Sequence, residues 1–171
     1  MHSAIILTLQ FDEASDALFQ DLRRRHYPPG RNRVGAHLTL FHALPSVKEN
    51  AIIREAARLA KSTPPFPVRV EGPMRLGRGV ALRIEGGRLA DLRQALAAKF
   101  SDHLTGQDRE EFRPHVTIQN KVAPHVAAAL QDHLAQTLPP FLAMAEGFQL
   151  WRCGDGKWTP LAAVPFQGLP G

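Results

Sequence analysis

The chain has 171 residues, 44% of them hydrophobic, which is enough to bury one core and too few for several domains. Its 21 Lys and Arg against 16 Asp and Glu give a formal charge of +5, a modest bias toward anionic partners with no polybasic tail. The single cysteine, Cys153, excludes an intrachain disulfide and a cysteine-based zinc or redox site.

In chain order, Met1-His2-Ser3 lacks the basic start of a secretory leader, and no apolar run approaches the roughly 20 residues of a membrane helix. A cytoplasmic monomer with no membrane association is expected. A strand over 4–10 precedes a helix whose apolar residues are Phe11, Ala14, Leu18 and Leu22. That helix ends on Arg23-Arg24-Arg25, read as a solvated terminus rather than a nucleic-acid contact. His37-Leu38-Thr39-Leu40 follows as a strand. Ser46-Val47-Lys48-Glu49 has the form of a capping box and predicts a helix running to about Lys61, stopped by Pro64-Pro65. A strand over 80–85 then leads to a helix with Leu89, Leu92, Leu96 and Phe100 on one face. After His115-Val116-Thr117-Ile118, Pro124 opens a helix carrying Val126, Leu130 and Leu134, and Pro139-Pro140 ends it. Gly154-Asp155-Gly156 marks a late hairpin.

Two halves repeat this order. Pro64-Pro65-Phe66 with Glu71-Gly72 recurs 75 residues later as Pro139-Pro140-Phe141 with Glu146-Gly147, and the His-x-Thr motifs lie 78 apart. The repeat predicts one α+β domain over 1–171, bilobal, with approximate halves 1–77 and 78–171. Two mainly antiparallel sheets would carry helices on their outer faces and enclose a central cleft.

The motifs suggest what the cleft does. Side chains alternate along a strand, so His37 and Thr39 share one face while Leu38 and Leu40 take the other. In the second copy the polar face reads Arg113, His115, Thr117 and Gln119. Two imidazoles facing one another supply a general base and a general acid, and two hydroxyls donate to phosphoryl oxygens as charge builds on them. That set suits in-line displacement at phosphorus and calls for no metal and no cofactor. A lone His-x-Thr would be an ordinary half-buried strand; two copies at the repeat period point to function. The other histidines form no His-Glu-x-x-His pattern, and no Gly-x-Ser-x-Gly elbow or phosphate loop is present. Trp151 and Tyr27 are the aromatic candidates for stacking on a base.

Ala36-His37-Leu38-Thr39-Leu40-Phe41 and Pro114-His115-Val116-Thr117-Ile118-Gln119-Asn120-Lys121 resemble the two-histidine (2H) phosphoesterase superfamily, and within it the 2′-5′ RNA ligase and RNA 2′,3′-cyclic phosphodiesterase family. The resemblance spans nearly the whole chain. It implies His37, Thr39, His115 and Thr117 as the catalytic set, with His115 as base and His37 as acid. It also implies hydrolysis of 2′,3′-cyclic phosphates on RNA ends or nucleotides to 2′-phosphates, with 2′-5′ ligation as the reverse reaction. Arg113 and Lys121, basic and on the polar side of the second motif, are candidate substrate contacts. After the first motif the chain reads Phe41-His42-Ala43-Leu44-Pro45, unlike the Phe-Leu-Gly continuation of many RNA-processing members, which suggests a distinct subgroup. A non-catalytic RNA-end binding module and a phosphoesterase for a small nucleotide-derived metabolite are the competing readings.

Overall fold

The computed structural model describes residues 3–170, so Met1 and His2 of the N-terminal reading lie outside the described residues. The elements are β1 (Ala4–Phe11), α1 (Glu13–His26), β2 (Leu38–Pro45), α2 (Glu49–Ser62), β3 (Phe66–Leu76), β4 (Gly79–Glu85), α3 (Gly87–Lys99), β5 (His115–Gln119), α4 (Pro124–Thr137), β6 (Phe141–Gly154) and β7 (Lys157–Pro165). The order β-α-β-α-β occurs twice, and β7 is added by a hairpin through Asp155 and Gly156, both with positive φ. No helix among the described residues is long and apolar enough to cross a membrane.

The chain is α+β and antiparallel, but its strands join one seven-stranded sheet instead of two. The ladder runs β2-β1-β6-β3-β4-β5, with β7 also on β6. The long strand β6 explains the union. Its first part, Phe141–Ala145, pairs with Phe66–Val70 of β3, and its second part pairs with β1 on one edge and β7 on the other. The last strand of each half therefore lies beside the first strand of the other half. Exchanging the halves returns the same strand order reversed.

Leu38, Leu40, Val116 and Ile118 are fully buried, as alternation requires, and each contributes roughly 1.5–3 kcal/mol of hydrophobic stabilisation. Leu89, Leu92, Leu96 and Phe100 are buried as well. Three helix expectations change. The buried face of α1 is Ser15, Phe19, Leu22 and Arg23, with Phe11 still in β1. Its N-cap is Asp12, whose Oδ2 accepts from the Ser15 amide at 3.0 Å and whose Oδ1 accepts from the Met144 amide at 2.8 Å, tying the helix to β6. The capping box does not form: Ser46–Lys48 is a short 3-10 turn, and α2 starts at Glu49 without a side-chain cap. Glu49 instead accepts from Arg152 of β6 at 2.7 Å. At α4, Pro124 occupies the first turn as expected, but Val126 is 40% exposed and Ala127 takes the core position.

Candidate active site

Both motif strands are edge strands, at opposite ends of the ladder. The sheet curls so that β2 and β5 lie against each other, and the two motifs then line one cavity of about 270 Å³. His37, Thr39, His115 and Thr117 all face it, and Arg113 lies on its wall. Lys121 does not: it sits beyond β5 in a left-handed turn with φ 61°. Gln119 also leaves the polar face. A register shift opposite Val80 and Ala81 interrupts the alternation after Thr117, and the Gln119 side chain is buried outside the cavity.

The two histidines are held alike. The His37 Nδ1–H donates to the Gly35 carbonyl at 2.9 Å, and the His115 Nδ1–H donates to the Arg113 carbonyl at 2.7 Å. A carbonyl only accepts, so each ring carries its hydrogen on Nδ1 and leaves Nε2 as the nitrogen that gains or loses a proton. Gly35 reaches this position with φ +74°, and a Cβ there would come within 2.7 Å of the Gln20 amide oxygen. That amide grips Ala36 from both sides, accepting from its N–H and donating to its carbonyl, each at 2.8 Å. Burial pushes His37 down to about 4, against the Gly35 hydrogen bond that raises it, and Arg23, His42 and His115 lower it further. His42, also on the wall, is lowered chiefly by burial.

An edge strand leaves one row of amides and carbonyls without a partner, and here buried charged side chains take that place. Arg23, which is 4% exposed, donates from α1 to the Thr117 carbonyl at 3.1 Å and to Asn32 at 2.8 Å, with its guanidinium over the Tyr27 ring. Arg93 donates from α3 to the Leu40 carbonyl at 2.8 Å and to the Asp108 carbonyl at 2.9 Å, stacked on Phe41. The Asp108 carboxylate accepts from the His42 and Ala43 amides at 2.7 and 2.9 Å. Arg23 is therefore buried machinery rather than a solvated helix end, and Tyr27 lies beneath it instead of offering its face to a base. Each arginine reaches the motif strand of the other half.

The sequence profile of the 2'-5' RNA ligase superfamily matches residues 11–157. The chain belongs to that superfamily. Among solved structures it is similar to TT0787 of Thermus thermophilus, at 22% identity over 96% of this chain and 98% of that one, with a TM-score of 0.66. It is also similar to E. coli LigT complexed with 3'-AMP, at 20% identity over 97% and 99%, with a TM-score of 0.63. A further structure described as a phosphoesterase covers the same shares at 20% identity and a TM-score of 0.59. At these identities the likeness speaks for the fold. No curated protein matches the sequence significantly.

In this superfamily member the supporting residues Gln20, Arg23, Arg93 and Asp108 escape a reading based on His-x-Thr. One signal for them exists. Asp21-Leu22-Arg23 recurs as Asp91-Leu92-Arg93, 70 residues on, and both arginines are buried beneath a motif strand. Among the described residues no group of three or more His, Cys, Asp or Glu side chains is arranged to hold a metal ion.

Proposed function

We propose that the protein is a metal-independent phosphodiesterase that hydrolyses 2′,3′-cyclic phosphates of RNA ends or nucleotides to 2′-phosphates, with 2′-5′ ligation as the reverse. The observation that carries this reading is the meeting of both His-Thr pairs on one cavity, each imidazole fixed through Nδ1 by the carbonyl two residues before it. His115 takes the proton of an attacking water at Nε2, His37 gives one to the departing 3′ oxygen, and Thr39 and Thr117 donate to the non-bridging oxygens. In-line displacement needs acid and base on opposite sides of phosphorus, which two edge strands brought face to face provide. Arg113 brings a guanidinium to a wall it shares with Glu110 and Glu111, the latter its ion-pair partner at 3.4 Å. E. coli LigT, similar in fold, has been crystallised with 3'-AMP, ATP, NADP+ and phosphate, which supports a phosphate-bearing nucleotide as the ligand class.

The test is hydrolysis of adenosine 2′,3′-cyclic phosphate, with the product isomer read by phosphorus NMR. The 2′-phosphate is expected, at a rate unchanged by EDTA, and His37→Ala or His115→Ala each lowers the rate by about 100-fold or more with the fold retained. Loss of turnover in EDTA with recovery on one divalent ion, or near-normal turnover in either variant, rejects the mechanism.

A further inference from the structure

A second cavity, of about 450 Å³, lies on the other side of His37, so that this one imidazole forms part of both walls. Its character differs from the first. Trp151 and Trp158 line it, together with the carboxylates of Glu13, Asp16 and Glu146, and among the described residues no lysine or arginine does, whereas the first cavity sets Arg93 and Arg113 among its own carboxylates, Asp108, Glu110 and Glu111. The Trp158 ring lies 4.8 Å from the His37 ring, centroid to centroid, and 5.8 Å from Trp151. Trp151 is fixed in turn, its Nε1–H donating to the Thr8 hydroxyl at 3.0 Å.

We propose that this cavity is the subsite for the uncharged, planar part of the substrate, a nucleobase stacked against Trp158, and that the protein takes single-nucleotide cyclic phosphates rather than a charged RNA backbone. The inference rests on the reading above for where the phosphate sits. A phosphate between His37 and His115 leaves the rest of the substrate to extend past one of the two rings, and the space beyond His37 is walled by indoles. Every nucleobase has a π-face, and an indole offers a stacking surface that needs no hydrogen-bond match. Both cavities carry carboxylates, and it is the lack of a lysine or arginine among the described residues of the second that sets the sign of what enters. A second phosphate would meet negative charge with no cation on the wall, whereas a neutral base carries no such penalty. The cationic Arg113 belongs to the first cavity. Arginines on the first wall and indoles on the second thus divide the substrate between the two cavities, one for the anion and one for the base.

Trp151 and Trp158 are the only tryptophans of the chain, so its indole fluorescence reports on this cavity and on the His37 ring it shares with the first. Titrating the intact protein with adenosine 2′-monophosphate is expected to quench that fluorescence at least several-fold more than inorganic phosphate, which reaches the indoles only through His37. Identical responses to the two overturn the subsite. In turnover, Trp158→Ala is expected to lower kcat/KM for adenosine 2′,3′-cyclic phosphate roughly 10-fold or more relative to glycerol 1,2-cyclic phosphate, which has no base. Both substrates use His37, so the ratio cancels any disturbance of the imidazole; equal losses would mean that Trp158 only packs on His37. An oligoribonucleotide ending in a cyclic phosphate is expected to be no better than the mononucleotide. A roughly 10-fold preference for the oligonucleotide that falls steeply with salt overturns the substrate class. Nucleotide-specific quenching without hydrolysis of any substrate would reject the phosphodiesterase reading and keep the subsite, and hydrolysis blind to the base would do the reverse.

Discussion

At neutral pH the free protein holds His37 uncharged, because burial pushes its imidazole to about 4. An acid that must donate a proton therefore has to acquire it with the substrate, whose phosphodiester brings negative charge beside the ring. This has a kinetic signature. The profile of kcat/KM reports the free protein, so the limb set by His37 is expected well below the ordinary imidazole range. The same limb in kcat, which reports the bound complex, is expected at higher pH. A limb that stays in place between the two profiles would argue against His37 as the acid. An ester of p-nitrophenol needs no protonated leaving group, so His37→Ala is expected to recover activity on it while His115→Ala does not; the opposite rescue exchanges the roles. The same burial acts on stability. A histidine whose folded value lies below its unfolded value of 6.5 binds fewer protons in the native state, so stability falls as pH drops from about 6.5 toward 4. His37→Gln is expected to flatten that part of the curve, measured by urea unfolding at about pH 7.5 and about pH 5. The motif histidines are legible from sequence because a two-residue spacing on a strand fixes their face. Their unequal burial is not, since it depends on Trp158, which arrives from a strand more than a hundred residues later.

Elements were legible where their signals are local. Pro124 at a helix start, the apolar face of α3 and the glycine hairpin all follow from neighbours within a turn or two. Misreadings occur where a polar side chain has a distant partner. Glu49 looks like half of a capping box and is engaged by Arg152, 103 residues away; Arg23 looks solvated and bonds to Thr117, 94 residues away. Hydropathy counts both as surface. Arg93→Met would leave the Leu40 and Asp108 carbonyls unpaired in the core, and a cost of about 1–3 kcal/mol per orphaned group is expected from thermal or urea unfolding. Asp12→Ala removes the α1 cap together with its tie to β6, with an expected loss of about 1–2 kcal/mol at pH 7. Burial tends to raise the Asp12 carboxyl, but hydrogen bonds from Met144 and Ser15 hold it below its ordinary 3.8. Its contribution is therefore present above that value and fades as pH falls through the lowered one, so wild type and variant are expected to converge in acid. A difference that persists at about pH 2 would place the effect elsewhere.

At the scale of the whole molecule, the order of elements was legible and the sheet was not. Duplication in sequence says that two units share an order of elements; it does not say whose strand pairs with whose. Here β3 pairs with β4 of the second half as well as with β6, and β1 of the first half depends on β6 for one of its edges. Cutting between residues 77 and 78 would strip each fragment of the strand that covers its first one. Neither 1–77 nor 78–171 alone is expected to melt cooperatively, whereas the two mixed are expected to regain both a transition and catalysis, followed by circular dichroism and turnover. Independent melting of either fragment would show that the shared ladder is dispensable. The near-symmetry of the strand order has one more effect. A fragment with an uncovered β1 edge and a surplus third strand is complementary to another copy of itself, because the partner's β3 can lie where β6 would. Such fragments should pair with their own kind in competition with the true partner, so reassembly should become less efficient, rather than faster, when one fragment is present in large excess before the other is added.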